Sequence, residues 1–127
     1  MSAQVLIIDD SLTVCKIIAV CLHRAGYPTR SFPDGIELFR WLETAEASIP
    51  GLVFVDVCLP RKMDGYDIIQ RLKARSAFVH TTFVMISQRD GVIDRLKGRL
   101  AGAKNYLVKP LKTAEIVAVV QEYLGAP

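Results

Sequence analysis

Residues 4–11 read QVLIIDDS: four consecutive apolar side chains, Val5 to Ile8, run straight into two adjacent carboxylates, Asp9 and Asp10. The run does not alternate and is rich in β-branched residues, which suits a strand buried on both faces of a parallel sheet. Two neighbouring carboxylates repel each other unless a positive charge lies between them. Sites that gather carboxylates hold a hard cation or share a proton. A plainer role is a helix start, with Asp10 or Ser11 capping the next helix. The rest of the chain has to decide between the two.

Strand-like and helix-like segments alternate outward from this stretch. An amphipathic segment from about Leu12 to Ala25 stops at Gly26, and a short strand near PTRSF precedes DGIELFRWLETAE, where Ile36, Phe39 and Leu42 form an apolar stripe. LVFVD, GYDIIQRLKAR and TFVMIS follow, then VIDRLKGRLAGA, a helix weakened by Gly98 because an interior glycine costs ~1 kcal/mol against alanine. NYLVKP is a last strand. TAEIVAVVQEYL is a last helix, with Thr113 expected as its N-cap and Ile116, Val117, Val120, Tyr123 and Leu124 on one face. Five strands alternating with five helices predict an α/β domain around a parallel sheet, one unit spanning residues 1–127.

Ligands of open α/β sheets bind beyond the carboxyl ends of the strands. At those ends stand Asp9 and Asp10, then Asp56, Ser87 and Lys109. Each alone is an ordinary cap, turn or loop residue, but all five fall at one rim. Three acidic groups with few bases make a pocket for Mg²⁺, which takes one or two carboxylates and keeps waters until a phosphate replaces them. A carboxylate can itself be the nucleophile and form an aspartyl-phosphate. Lys109 suits a phosphate oxygen or a salt bridge to the acceptor, and Ser87 can donate to another phosphate oxygen.

Composition narrows the classes. Half the residues are hydrophobic and 23% are charged, so disorder is excluded and a sizeable core can form. The first residues carry no signal-peptide pattern and no apolar run is long enough to span a bilayer, so the cytoplasm is expected. Three cysteines with no C-x-x-C pair and two histidines do not make a zinc site. Residues 1–56 carry four basic and seven acidic side chains, whereas residues 57–127 carry twelve and six. That asymmetry suits the steering of an acidic partner but falls short of a nucleic-acid footprint, and a solvated basic face accounts for it more simply.

IDDS, VFVDVCLP, MDGYD, MISQRDG and YLVKP, in this order and spacing, resemble the receiver domain of two-component response regulators. The resemblance covers nearly the whole chain and implies a flavodoxin-like sheet of order 2-1-3-4-5. It implies Asp9 and Asp10 as the acidic metal-binding pair, Asp56 as phosphoacceptor and third ligand, and the backbone carbonyl of Cys58 as another ligand. Ser87 matches the switch hydroxyl, Tyr106 the switch aromatic, and Lys109 the lysine before a typically cis Pro110. The expected partners are a histidine kinase or phosphotransfer protein, docking on the first helix, and a downstream effector protein, although the apolar breadth of that helix suits deep burial between neighbouring helices equally well. The segment from Ser76 to Pro110 is similar to receivers of twitching-motility and phototaxis pathways, some of which stand alone.

The resemblance also implies a shift of order: phosphorylation draws Ser87 inward and lets Tyr106 turn in. Cys58 and Arg89 fall where the family tunes phosphoryl loss; Arg89 suits either shielding the acyl phosphate or pairing with it, and Cys58 reads as a small side chain rather than a redox sensor. The face bearing Arg95, Lys97, Arg99 and Lys104 resembles the output or dimer surface of receivers, though a solvated basic helix has the same pattern. DVCLPRKMDG carries one residue more between Pro60 and Asp64 than most receivers, which should reshape that loop without moving Asp56. A hydrolase of the aspartyl-phosphate type needs a second Asp two residues on, and Val57 and Cys58 stand there instead. The same residues are also compatible with an unphosphorylated scaffold of this fold, disfavoured by the intact Asp56, Lys109 and acidic pair, and with the receiver piece of a longer DNA-binding regulator.

Overall fold

A computed structural model describes residues 5–127. The expectation about the chain's first residues therefore falls partly outside the described part. Five strands, β1 (Val5–Ile8), β2 (Thr29–Phe32), β3 (Leu52–Asp56), β4 (Thr82–Ser87) and β5 (Asn105–Val108), form one parallel sheet in the order β2-β1-β3-β4-β5. Between and after them run α1 (Leu12–Arg24), α2 (Gly35–Leu42), α3 (Gly65–Lys73), α4 (Val92–Ala101) and α5 (Thr113–Leu124), with a single 3₁₀ turn at Ser76–Phe78.

The uninterrupted apolar run of β1 is explained by its central place, paired with β2 on one side and β3 on the other. Its side chains alternate between two cores. Leu6 and Ile8 join Val53, Val55, Phe83 and Met85 beneath Leu38, Trp41, Ile68, Ile69 and Leu72 of α2 and α3. Val5 and Ile7 join Phe54, Val84 and Ile86 beneath Ile18 and Leu22 of α1 and Ile116 and Val120 of α5. Edge strand β2 is half covered, and Arg30 lies over the Trp41 ring at 5.3 Å.

Helix ends follow local chemistry. Ser11 caps α1 by accepting from the Val14 N–H at 3.2 Å. Asp64 and Asp67 form a reciprocal capping box around the first turn of α3, which accounts for both acids of MDGYD. Gly102 ends α4 at φ 118°, the left-handed conformation glycine tolerates. Two expectations need correction. Thr113 is the first helical residue of α5, not its cap; the cap is Lys112, which makes no side-chain capping bond. Helix α2 stops at Leu42, where the Thr44 hydroxyl donates to the Trp41 carbonyl at 2.7 Å and turns the chain out.

The longer loop after β3 puts two adjacent non-glycine residues at positive φ, Arg61 at 66° and Lys62 at 63°. Each costs ~1 kcal/mol relative to glycine. Arg61 is tied to Asp34, the buried cap of α2, at 3.6 Å. Lys62→Gly is expected to raise stability by ~0.5–1 kcal/mol, read as a higher urea midpoint at unchanged slope. A lower midpoint would mean that Lys62 makes a contact outweighing its backbone cost.

Candidate metal and phosphoryl site

All the strands point the same way, so their carboxyl ends open at one rim. Asp9 follows β1 directly, Asp56 is the last residue of β3, Ser87 the last of β4, and Lys109 follows β5. The register locks these ends together: Asp56 lies beside Ile86, Ser87 lies beside Val108, and the Lys109 N–H donates to the Ser87 carbonyl at 2.7 Å. The Asp9 N–H is held by the Phe32 carbonyl of β2. Asp10, Ser11, Asp56, Cys58, Ser87, Gln88, Arg89 and Lys109 line a cleft of about 440 Å³.

The acids meet there. Asp9, Asp10 and Asp56 each offer an oxygen within 4.8 Å of the other two. Asp9 is fully buried, Asp10 is exposed, and Asp56 is 5% exposed, reached from solvent only as a lining residue of the cleft. Asp9 Oδ1 accepts the Ser11 N–H at 2.9 Å. Asp9 Oδ2 is buried and receives no hydrogen bond, although Lys109 Nζ stands 2.9 Å from it as an ion pair. The same ammonium donates to Asp56 Oδ2 at 3.4 Å, and the Cys58 N–H approaches Asp56 Oδ1 at 3.4 Å.

Burial, and after it the charge of Asp9, pushes the Asp56 carboxyl up to about 6; Lys109 and the Cys58 N–H act against this without cancelling it. Burial alone would lower Lys109, but Asp9 and Asp56 outweigh it and hold its ammonium above the usual lysine range. Two buried carboxylates thus share one ammonium, with the third acid, Asp10, beside them. Three clustered acids beside a single lysine fit a hard divalent cation by their oxygen donors and their deficit of positive charge.

The structure brings every expected polar residue to this rim, and it also shows what the sequence left open. The Ser87 hydroxyl accepts the Arg89 N–H at 3.0 Å, which leaves its own proton free for the cleft. The Arg89 guanidinium is 62% exposed and reaches Asp94 at 3.9 Å, a pairing that is neither of the two expected uses. Tyr106 is turned in, with 8% exposure, and its hydroxyl donates to the Arg89 carbonyl at 2.9 Å. Cys58 is exposed at the lip, while Cys15 and Cys21 are buried. The Lys109–Pro110 peptide is cis. Sequence reasoning missed two contributors: Gln88, a lining residue signalled only by its place in MISQRDG, and Gly65, whose approach to Asp56 is signalled only by its place in MDGYD.

Outside the cleft, the broad apolar face of α1 divides. Cys15, Ile18, Cys21 and Leu22 are buried, while Leu12, Ile17 and Val20 are exposed. Helix α4 exposes Val92, Ile93, Leu96 and Leu100. Among the described residues no helix is long and apolar enough to cross a membrane.

Comparison with known proteins agrees with this geometry. The chain is 31% identical over 121 residues to protein PilG of Pseudomonas aeruginosa, covering 95% of this chain and 87% of that one. It is 30% identical to the alkaline phosphatase synthesis transcriptional regulatory protein PhoP of Bacillus subtilis, covering 98% of this chain but only 49%, about half, of PhoP. The chemotaxis protein CheY4 of Vibrio cholerae superposes with a TM-score of 0.86 at 25% identity, over 98% of this chain and all of its own. A family model for the response regulator receiver domain matches residues 5–121. With that match running from the first described strand into the last helix, the chain belongs to the response regulator receiver domain family.

Proposed function

We propose that the chain takes a phosphoryl group onto Asp56 from a phosphohistidine donor, a histidine kinase or phosphotransfer protein, and passes the signal on by protein–protein contact. The observation that carries this reading is the Asp56 carboxylate on the wall of an open cleft, held by Lys109 and crowded by Asp9 and Asp10. Asp9, Asp10, Asp56 and the carbonyl of Cys58 would hold Mg²⁺, which when bound supplies positive charge to the phosphoryl oxygens.

The chain's own groups do the rest. An Asp56 oxygen attacks phosphorus, the bond from phosphorus to the donor imidazole nitrogen breaks, and the ring leaves as neutral imidazole, keeping the proton already on its other nitrogen. Lys109 already contacts both buried carboxylates, so it can follow the charge from carboxylate to phosphoryl oxygen without reorganising. Ser87 donates its free proton to another phosphoryl oxygen. The result is a modified signalling protein with no turnover product other than slow loss of its own phosphate. We place it in the cytoplasm with its kinase, the exposed α1 residues Leu12, Ile17 and Val20 as the donor's docking face and the exposed α4 residues as the effector's or a second copy's.

The test is chemical. Incubation with acetyl phosphate and a divalent cation should add one phosphoryl group by mass spectrometry, removable by hydroxylamine as an acyl phosphate is and prevented by EDTA. A hydroxylamine-stable adduct, or none, defeats the reading.

A pH dependence follows from the raised Asp56 carboxyl. Proton and cation compete for that carboxylate, so Mg²⁺ affinity is expected to be level above pH ~7 and to fall as pH drops through about 6, approaching tenfold per unit below it. Calorimetric titration between pH 5 and 8 measures this. A curve that stays flat down to pH 5 contradicts it.

A further inference from the structure

Glycine in the middle of a helix is a cost that something must justify. Gly98 sits in the second turn of α4, is buried, and has the Tyr106 ring beside it: a Cβ at this position would lie 3.3 Å from Tyr106 Cδ2 and 3.2 Å from Met85 Sδ. Those separations are tighter than ordinary carbon contacts, so any side chain here presses on the ring or on the methionine beneath it. The same ring is fixed from two other directions. Arg95 holds its guanidinium 5.3 Å from the ring centroid while forking onto Asp90 at 2.8 and 2.6 Å, and the hydroxyl donates to the Arg89 carbonyl. Arg89 in turn gives its N–H to Ser87 Oγ, so a single residue's backbone joins hydroxyl and ring. None of the three holds on the ring involves the acidic cluster.

We propose that Gly98 is a positioning residue for Tyr106: by leaving out a side chain it opens the slot in which the ring lies turned in, and so biases the Ser87–Arg89–Tyr106 relay toward that state. The inference rests on the phosphoacceptor reading above. A side chain at position 98 narrows the slot, moves the ring outward, and makes binding at the acidic cleft bear the work of drawing it back. By linkage, a group that favours the inward state then binds more weakly to the variant.

The experiment uses the full chain with its four tyrosines replaced by 3-fluorotyrosine, the Tyr106 resonance identified by its loss in Tyr106→Phe, and beryllofluoride with Mg²⁺ as the probe. In the parent protein the Tyr106 signal is expected to carry a buried signature, with little solvent-isotope shift, before and after the probe. In Gly98→Ala, and more so in Gly98→Val, it moves toward an exposed signature and returns when the probe binds, while half-saturation by beryllofluoride rises about three- to tenfold. Alanine is the better helix former, so α4 remains helical in Gly98→Ala and its unfolding midpoint holds or rises. A purely structural glycine would lower that midpoint and leave the Tyr106 signal alone, which overturns the proposal. Equal probe affinity with Tyr106 buried in all three proteins overturns it too, while leaving the phosphoacceptor reading intact. No probe binding in any of them overturns both.

Discussion

Asp56→Asn is expected to abolish the acyl-phosphate adduct outright and, in the absence of divalent cation, to make the protein more stable at pH 7. The first effect is chemical: an amide oxygen is too weak a nucleophile and cannot form the acyl phosphate anhydride, so incorporation should drop below about a hundredth of the parent's. The second follows from the sign of the carboxyl's displacement. Asp56 sits at about 6 in the fold against an ordinary 3.8, displaced first by burial and then by Asp9, so the folded state disfavours its charge even with Lys109 counted. As pH rises from about 4 to 6 the unfolded chain releases this proton before the folded one does, and the group's contribution to stability is lost across that window. At pH 7 the neutral isostere removes the penalty. The gain is on the order of 1 kcal/mol once solvent screening in the cleft is allowed for, a shift of a few degrees in the unfolding midpoint. Saturating Mg²⁺ should erase the advantage by stabilising the parent alone. Thermal unfolding of both proteins, with EDTA and with Mg²⁺, decides the matter; an Asn variant less stable in EDTA would show that the Lys109 pairing outweighs the crowding.

How far the sequence could carry the reading depended on whether a feature is local. The unbroken VLII and LVFVD runs announce strands buried on both faces, and strand direction then forces Asp9, Asp10, Asp56, Ser87 and Lys109 to one rim, because parallel strands end together. Local capping was legible at Ser11, one of the two caps offered for the first helix, whereas the Asp64 cap was not read from the sequence. The cap reading failed at Thr113, where Lys112 already accepts the Glu115 and Ile116 N–H groups and the threonine falls one residue inside. What no local pattern could reveal is mutual orientation: that Tyr106 is turned in, that Arg89 reaches Asp94, that the loop's added residue is absorbed by two left-handed residues, Arg61 and Lys62. Gly98 shows the limit well. Read along the chain it only weakens a helix; the ring that lies against it comes from β5, which sequence spacing does not place there.

Gly65→Ala is expected to cost more than any surface change in the molecule, about 2–4 kcal/mol, although alanine would ordinarily favour a helix by ~1 kcal/mol over glycine. Gly65 opens α3, and its N–H donates to the Val57 carbonyl at 3.0 Å, pinning the helix start against the end of β3. A Cβ there would run into the carbonyl oxygen of Asp56, with the Asp56 carbonyl carbon at 3.0 Å and Met85 Cε at 2.9 Å. The methionine can swing away; the backbone cannot, because the Val57 N–H is bonded to the Ile86 carbonyl in the neighbouring strand. Either α3 backs off, losing the Gly65–Val57 bond and straining the Asp64–Asp67 capping box, or Asp56 tilts in its cleft. The two routes separate experimentally. A retreating helix lowers the urea midpoint while phosphorylation under folding conditions stays near the parent's; a tilted Asp56 also weakens Mg²⁺ binding and slows acyl-phosphate formation at least about tenfold. The first route is favoured, since the Val57–Ile86 hydrogen bond holds the strand end in the sheet. An alanine variant as stable as the parent, with unchanged cation affinity, would refute the close approach itself.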